Sequence, residues 1–275
     1  KKGIFLKPFI IGIGMEKDYA DAFGCMGQYF DATNINDFRK ALSKAVNQSL
    51  GKTTVSVELL GENDRPYEKD VNVSFINSFT NVSAFEFVHY RDSQGRPDSV
   101  EVDPVLSYDI VVNTIPKVKK KNVSFDGGKH HVLPMKTPQG ILKIDFPGAV
   151  SYKEGVQCLV KDVKTGETYT RFLVNNSVKL LAGTYTLEIL TLPGKTYSQV
   201  EIKPKKVTSI NIEKPGLVNF ISASKGIGSL YELDEEGRQR WIYNFDPGQT
   251  HHTLNIQPGK YKAVFRSGEA RGSKF

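Results

Sequence analysis

The stretch Leu180–Ile212 decides the fold, and it reads LLAGTYTLEILTLPGKTYSQVEIKPKKVTSINI. Apolar and polar residues alternate from Tyr185 to Leu190, which is the two-residue period of a strand with one buried face. The segment SQVEIKPKKVTSINI holds two more alternating runs, and a Pro-Lys-Lys turn at Pro204 separates them. We therefore predict short antiparallel strands joined by tight turns.

Features of this stretch recur on both sides of it. The segments FVHYRDSQGRP, LVKDVKTGETY and LYELDEEGRQR align on glycines spaced 71 residues apart, namely Gly95, Gly166 and Gly237. Downstream tyrosines are 77 and 76 residues apart, namely Tyr108, Tyr185 and Tyr261. A third match, between Gly140 and Gly216, spans 76 residues. Periods of this length indicate tandem domains, because short solenoid repeats are mostly about 20–50 residues long.

Each repeat is predicted to be an antiparallel β-sandwich. Turn signals such as DSQG, KTG and DEEG separate the strands, and Gly127–Gly128 allows the positive φ that a tight hairpin needs. We place the modules at residues 53–136, 137–213 and 214–275. The third is expected to be incomplete, since no strand pair follows GKYKAVFRS within the chain.

Residues 1–52 show a different pattern. FLKPFIIGIG is a continuous apolar run of the kind that is buried on both faces of a parallel sheet. A short helix, a strand in GQYFDAT and a second helix from about Asn36 to Leu50 are expected to follow. Asn34 or Asn36 can cap the start of the second helix, and Gly51 follows its end. This order predicts an α/β segment.

The glycines of FIIGIG could also belong to a phosphate-binding loop. The dinucleotide fingerprint G-x-G-x-x-G needs a glycine at position 17, which is occupied by Lys17. A P-loop needs the frame GxxxxGK[ST], and GKTT at Gly51–Thr54 lacks its first glycine because residue 46 is Val46. We therefore expect no nucleotide site in this segment.

Residues 1–52 resemble the C-terminal portion of a von Willebrand factor A (VWA) domain, a Rossmann-like fold. The matching features are Gly12 and Gly14, then Gly27, Tyr29, Phe30 and Ala32 in CMGQYFDAT, then the helix NINDFRKALSKAVNQSL. The resemblance implies metal-dependent protein binding, with Mg²⁺ or Ca²⁺ held by an Asp-x-Ser-x-Ser loop. The chain contains no such loop. We therefore expect no metal ligand here and place the cation site in an upstream part of the domain.

The three repeats resemble transthyretin-like sandwiches of the carboxypeptidase-regulatory type. These domains carry a Pro-Gly-x-Tyr turn into a strand, and QPGKYKAVFRS matches it at Pro258, Gly259 and Tyr261. The first repeat departs from the pattern, since VLSY at Val105–Tyr108 has no glycine. A VWA segment followed by such modules is similar to cell-envelope proteins of the Bacteroidota. The resemblance implies structural or binding modules without catalytic residues.

The chain carries a formal net charge of +7, from 37 basic and 30 acidic residues. Its densest basic run, KVKKK, offers a possible polyanion or partner contact through Lys117, Lys119, Lys120 and Lys121. No zinc-finger spacing or RNA-binding motif accompanies the run, which argues against nucleic acid as the partner. No apolar run is long enough for a membrane span.

Other candidate sites have weak support. The cysteines Cys25 and Cys158 lie in different predicted domains, so we expect buried free thiols. The adjacent pairs His130–His131 and His251–His252 offer one ligand per strand face, because neighbouring side chains point to opposite faces. We therefore predict solvated strand-end histidines without a metal site.

No complete catalytic motif is present in the sequence. Ser222–Lys225 has Ser-x-x-Lys spacing without companion motifs, and the chain has no G-x-S-x-G elbow. The carboxylates of Asp234–Glu236 are predicted to lie on a solvated hairpin tip with ordinary pKa values. Tyr231, Trp241 and Tyr243 form either an aromatic contact surface or part of a sandwich core.

Together these patterns predict a non-catalytic interaction or scaffold protein of the bacterial cell envelope, in the periplasm or at the cell surface. Its partners would be other envelope or surface proteins, with the sandwiches acting as stalk or docking modules. Two alternatives stay open. One is an accessory binding module of an envelope enzyme or glycan-processing assembly, and the other is a polyanion-binding protein.

Overall fold

A computed structural model describes residues 6–15, 22–23, 26–147 and 155–269. The chain divides into two compact units, Lys1–Pro138 and Gln139–Phe275. Strands dominate both units, as the alternating sequence pattern predicts, and they form several separate sheets.

The first unit begins with a small α/β segment. Strands β1 (Phe9–Ile13) and β2 (Gln28–Ala32) pair in parallel, and helix α1 (Ile35–Leu50) follows. The side chain of Asn34 caps α1 by accepting hydrogen bonds from two N–H groups of its first turn, at 2.9 and 3.0 Å. The short helix predicted between the two strands lies almost wholly outside the described residues.

The prediction that β1 is buried on both faces is wrong for the described residues. Only β2 pairs with β1 in this part of the chain, so Phe9–Ile11 are half-buried and Ile13 is exposed. Helix α1 is likewise covered on one side only. It buries Ala41 and Ala45 but leaves other apolar side chains in solvent, including Leu42, Val46 and Leu50.

The rest of the first unit is a β-sandwich of two sheets, here called the first sandwich. Its strands are β3 (Thr54–Leu60), β4 (Asn72–Asn77), β5 (Ser83–Val88), β6 (Ser99–Glu101), β7 (Ser107–Val112), β8 (Val118–Ser124) and β9 (His130–Lys136), with a 3₁₀ turn at Glu62–Asp64. One sheet has the order β6-β3-β9, and β3 is antiparallel to β6 but parallel to β9. The prediction of a wholly antiparallel sandwich is therefore wrong for this sheet, because the last strand returns beside the first in the same direction. The other, β5-β4-β7-β8, is antiparallel. Apolar side chains fill the core, and Phe75 and Ile110 are fully buried there.

The second unit begins with a second sandwich of the same topology. Its strands are β10 (Gln139–Asp145), β11 (Gln157–Asp162), β12 (Thr168–Leu173), β13 (Ser177–Leu181), β14 (Gly183–Ile189), β15 (Lys195–Ile202) and β16 (Val207–Asn211). The sheets are β13-β10-β16 and β12-β11-β14-β15, and β10 is parallel to β16. Strand by strand, this order repeats that of the first sandwich.

A third sheet pair completes the second unit. It comprises β17 (Gly216–Ile221), β18 (Gly226–Leu233), β19 (Gln239–Asn244), β20 (His251–Ile256) and β21 (Lys260–Ser267). Strands β17 and β20 form one antiparallel sheet, and β19-β18-β21 form the other. These five strands correspond in order to the first five of each sandwich. Among the described residues, no strands correspond to the last two.

The repeated tyrosines hold the same place in each repeat. Each hydroxyl donates to a backbone oxygen four or five residues upstream: Tyr108 to Asp103 (3.2 Å), Tyr185 to Leu181 (2.6 Å) and Tyr261 to Gln257 (2.6 Å). This geometry is that of a tyrosine corner. A glycine two residues before the tyrosine gives the ring room, since a Cβ on Gly259 would lie 2.9 Å from Tyr261 Oη. The first repeat, which lacks that glycine, makes its bond one residue further upstream.

Each predicted hairpin tip is built on an aspartate and a glycine. The pairs are Asp92 with Gly95, Asp162 with Gly166, and Asp234 with Gly237. Each carboxylate accepts hydrogen bonds from N–H groups of its own turn. The glycines have φ values of 71° to 79°, in the left-handed region that favours glycine.

The first two sandwiches also share a proline loop. The bonds before Pro116 and Pro193 are cis, and in each loop a threonine hydroxyl donates to the proline oxygen, at 2.6 Å from Thr114 and 2.7 Å from Thr191. In the second sandwich this loop also contacts the third sheet pair. Leu192 packs against the core of that pair, and its carbonyl accepts a hydrogen bond from Gln257 N at 2.8 Å.

Candidate interaction surfaces

Two strands of the third sheet pair have an open outer edge. In the first sandwich β8 pairs with β7 and β9 with β3, and in the second β15 pairs with β14 and β16 with β10. Strand β21 corresponds to β7 and β14, and strand β17 corresponds to β3 and β10. No described strand pairs with the outer edge of either β21 or β17. Both carry exposed apolar side chains, among them Leu217 (65% exposed), Ile221 (75%) and Val264 (48%). An open apolar edge can accept another strand.

A cleft of about 380 Å³ lies between the sheets of the third pair. Phe220, Phe245 and Phe265 contribute to its mostly apolar lining. His252 also lines it, with its ring 5.0 Å from that of Phe245, and its Nε2 has no hydrogen-bond partner among the described residues. The core cluster here has three buried residues, against thirteen in the first sandwich. The third sheet pair therefore has a smaller buried core than the first sandwich.

Two equivalent glycines, Gly140 and Gly216, have different surroundings in the second sandwich and the third sheet pair. A Cβ on Gly140 would lie 2.2 Å from Lys203 O, in the turn between β15 and β16. Glycine at this position is what allows that turn to pack against β10. At the equivalent Gly216 the nearest atom would be Ile256 O at 3.9 Å. The third pair thus keeps the glycine without the backbone that packs on it in the second sandwich.

The three aromatic candidates divide between surface and core. Tyr231 and Trp241 are directly opposite each other on β18 and β19, and Trp241 is 56% exposed. Trp241 Nε1 donates to Asn244 Oδ1 at 2.8 Å. Tyr243 instead packs against the core, with its ring 5.9 Å from that of Phe245. Exposed Trp241 and half-buried Tyr231 remain a predicted contact surface.

The basic run lies on a strand edge. Lys119, Lys120 and Lys121 belong to β8, the outermost strand of its sheet, and Lys117 precedes it. All four side chains are exposed. Lysines on an edge strand also discourage pairing with another sheet, so the run has a structural role that needs no ligand. Polyanion binding by this run stays a prediction.

The histidine pairs belong to no metal cluster that the structure shows, since no group of three or more potential ligands is found among the described residues. His130 Nδ1 lies 2.9 Å from Thr54 Oγ1, and His131 Nε2 lies 2.9 Å from Asp126 O. The prediction of solvated histidines is wrong for His252, which is only 8% exposed because it packs against Phe245.

Comparisons with known proteins give no assignment. No protein-family model and no curated protein matches the chain. Among solved structures, the Bacillus anthracis TIE protein is 15% identical, with 78% of this chain and 45% of that chain covered and a TM-score of 0.25. Two B repeat units of the collagen-binding protein of Staphylococcus aureus are 8% identical (78% and 68% covered, TM-score 0.20). A streptococcal ancillary pilin is 10% identical (79% and 90% covered, TM-score 0.23).

This chain thus spans less than half of the TIE protein's chain. At TM-scores of 0.25 or less, these similarities are too low to support an inference about fold or function.

A buried polar cluster in the first sandwich escaped the sequence analysis. His89 is fully buried and bonds through Nε2 to Val57 O at 2.9 Å. Arg91 and Glu58 form an ion pair nearby at 2.5 Å, with side chains 11% and 19% exposed. The period-two pattern held the signal, because Phe85, Phe87 and His89 alternate on one face. Burial lowers the pKa of His89, so the neutral ring is favoured.

The hairpin-tip carboxylates have shifted pKa values, contrary to the prediction for Asp234. The hydrogen bond from the Arg238 side chain is the main cause that lowers the pKa of Asp234, and bonds from Arg96 do the same for Asp92. The Tyr169 hydroxyl, which donates at 2.5 Å, lowers the pKa of Asp162. These carboxylates hold turns together, so their shifts have a structural cause.

The remaining candidates are also explained by local structure. Cys158 is a buried free thiol as predicted, and burial raises its pKa to about 12. Cys25 lies outside the described residues. Ser222 Oγ donates to Ser224 O at 2.8 Å, which is a loop hydrogen bond. In the part of the chain that the structure describes, no helix is both long and apolar enough to traverse a bilayer.

Proposed function

We propose that this chain is a non-catalytic interaction or scaffold protein of a bacterial cell envelope. The observation that carries the proposal is the repetition of one structural unit. The tyrosine corner and the Asp-Gly hairpin tip occur three times. The full strand order occurs in both complete sandwiches, and its first five strands occur again in the third sheet pair. Shifted pKa values often mark active sites. Here those of Asp92, Asp162 and Asp234 belong to a repeated turn, so they serve the fold.

The finer assignment follows the two family resemblances. The α/β segment would be the end of a VWA domain, and the sandwiches would be transthyretin-like modules. The parallel pair β1–β2 followed by the capped helix α1 supports the first part. The shared order of the two complete sandwiches supports the second. A divalent cation, if the protein uses one, would be held by upstream residues of the VWA domain.

The interaction surface in this proposal is the third sheet pair. An added strand antiparallel to β21 and another parallel to β17 would reproduce the arrangement of β15 and β16 in the second sandwich. Backbone hydrogen bonds along both edges would supply affinity, and apolar side chains entering the cleft would supply specificity. The proposed ligand is therefore a pair of β-strands from outside the described residues, either in this chain or in another protein.

A peptide with the sequence of residues 195–211, which contains β15 and β16, tests this surface. We expect saturable binding in a calorimetric titration, because the edges of β17 and β21 are open. Hydrogen exchange should slow at the amides of those two strands on binding. No binding, or no change in exchange at either strand, would contradict the proposed surface.

Two matched variants distinguish peptide binding in the cleft from non-specific attraction to the protein surface. Ala263→Arg places a long cation in the cleft that Ala263 lines, and should weaken peptide binding at least about tenfold. Val132→Arg adds the same charge at a side chain that is 60% exposed on β9 of the first sandwich, and should leave binding unchanged. Equal losses in both variants would point to non-specific attraction.

A further inference from the structure

A basic groove of about 500 Å³ lies in the first unit, between α1 and the hairpin that joins β8 to β9. Four cationic side chains contribute to its lining: Arg39, Lys40, Lys44 and Lys129. The other lining residues are polar or glycine, and none has an apolar side chain. The groove shares no residue with the lysine run Lys117–Lys121.

The hairpin glycines set how closely the two sides of the groove approach each other. A Cβ on Gly127 would lie 2.3 Å from Gln48 O, and one on Gly128 would lie 2.5 Å from Asn47 O. Gly128 N also donates to Thr53 Oγ1 at 2.9 Å. Only glycine permits this approach, so the glycine pair holds the hairpin against the end of α1.

The groove has an excess of positive charge. Within the described residues, Arg39, Lys40 and Lys44 form no ion pair. Lys129 pairs with Asp126 at 3.2 Å, but both side chains are more than half exposed, so the pair is weak in water.

The nearest acid on the helix is engaged elsewhere. Asp37 accepts hydrogen bonds from Thr33 Oγ1 (2.9 Å) and Asn34 Nδ2 (2.6 Å) at the start of α1. Lys44 is held at the wall of the groove, with its Nζ 5.3 Å from the centroid of Phe30. Among the described residues, Asp37 therefore forms no ion pair with the groove cations, and Arg39, Lys40 and Lys44 outnumber it on the helix.

We propose that this groove binds an anionic polysaccharide that carries acidic groups on successive sugars. Lys40 and Lys44 are one helical turn apart, a rise of about 6 Å, which suits a ligand with repeated charges. Lysine binds carboxylate and sulfate as a mobile point charge. The groove is open and elongated along α1, which suits a polymer better than an enclosed small molecule.

The lining discriminates against other polyanions. No aromatic side chain lines the groove, so the bases of a single-stranded nucleic acid would have nothing to stack on. No residue with an apolar side chain lines it, so an acidic amphipathic peptide would have only the aliphatic stems of the lysines and Arg39 for its apolar face. Gln48 lies in the wall, is 8% exposed and has an Oε1 without a hydrogen-bond donor among the described residues. A small rotation would let that oxygen accept from a sugar hydroxyl.

Calorimetry with a galacturonic acid hexamer tests the proposal on the whole chain. We expect saturable binding that weakens as NaCl is raised, because salt screens the exposed charges. A neutral glucose hexamer should not bind. The double variant Lys40→Gln, Lys44→Gln should lose at least about tenfold in affinity and keep the wild-type circular dichroism spectrum.

The matched control is Lys164→Gln, Lys206→Gln, which removes the same charge from two exposed side chains of the second sandwich. It should bind the acidic hexamer as the wild type does. Equal losses in both double variants would overturn the groove, as would an absence of saturable binding. A single-stranded oligonucleotide that binds more tightly than the hexamer at equal salt would overturn the polysaccharide assignment.

Discussion

His89 places a titratable ring in the interior of the first sandwich. Its Nε2 donates to Val57 O, and burial lowers its pKa. The unfolded chain, whose histidine keeps an ordinary pKa of about 6.5, therefore binds a proton at higher pH than the folded chain does. Burial of the neutral His89 ring therefore stabilises the folded chain above about pH 6.5, and this stabilisation is lost as the pH falls below that value.

We expect the free energy of unfolding to decrease between pH 7.5 and pH 5.5. Uptake of one proton on unfolding corresponds to a slope of at most about 1.4 kcal/mol per pH unit from this residue. His89→Gln keeps an amide donor for Val57 but does not titrate, so its slope should be shallower. Urea titrations at several pH values measure the difference. An unchanged slope in His89→Gln would refute the assignment.

For single residues, the sequence predicts which strand face a side chain occupies better than it predicts what the side chain contacts. Alternation places His89 on the same strand face as Phe85 and Phe87, but it does not show that the ring is fully buried or that it bonds to Val57 O. The ion pair of Arg91 with Glu58 joins residues 33 positions apart. No local pattern specifies such a contact, because it depends on how β3 packs beside the chain that follows β5.

Among the elements, the turn between β15 and β16 makes the sharpest contrast between the second and third repeats. Gly140→Ala would place a Cβ 2.2 Å from Lys203 O, so backbone must shift. We expect this variant to lose about 1–3 kcal/mol of stability in the second unit. Gly216→Ala meets nothing closer than 3.9 Å and should stay within about 0.5 kcal/mol of wild type. Thermal unfolding followed by circular dichroism tests the pair.

The Gly216→Ala variant also tests peptide binding at β17. If strands added at β17 approach as β16 and its turn approach β10, this variant should bind the residue 195–211 peptide more weakly while remaining stable. Equal stability losses in both glycine variants would mean that the space beside Gly216 is already filled.

The strand pattern and turns were predictable because alternation and glycine spacing are local signals. The repeat spacing of Gly95, Gly166 and Gly237 and that of the tyrosines identified equivalent positions, and the structure places them in equivalent hydrogen bonds. Pairing partners were not predictable. Whether a strand such as β8 lies at an edge, or whether α1 is covered, depends on contacts between elements far apart in sequence.

Across the second unit, two intrinsic probes report on different repeats. Trp241 is the only tryptophan of the chain and lies in the third sheet pair, whereas Cys158 is buried in the second sandwich. The third pair has the smaller buried core and two open edges. We expect Trp241 fluorescence to change at a lower urea concentration than the one at which Cys158 reacts with a thiol reagent.

The measurement uses a Cys25→Ser background, so that a single thiol is followed. Cys158 should be unreactive in native buffer, because burial raises its pKa to about 12 and suppresses the thiolate. Binding of the residue 195–211 peptide should raise the urea concentration at which Trp241 fluorescence changes, and so bring it closer to the concentration at which Cys158 reacts. Coincident transitions without peptide would show that the two repeats unfold as one cooperative body.

The parallel pairing of first and last strands has a mechanical consequence. In the first sandwich, β3 and β9 are neighbours over seven residue pairs, and in the second, β10 and β16 are neighbours over five. The chain enters through the start of one strand and leaves through the end of its parallel neighbour. Tension along the chain would therefore pull the two strands past each other lengthwise and load all their hydrogen bonds at once. We therefore expect both complete sandwiches to resist extension from their ends.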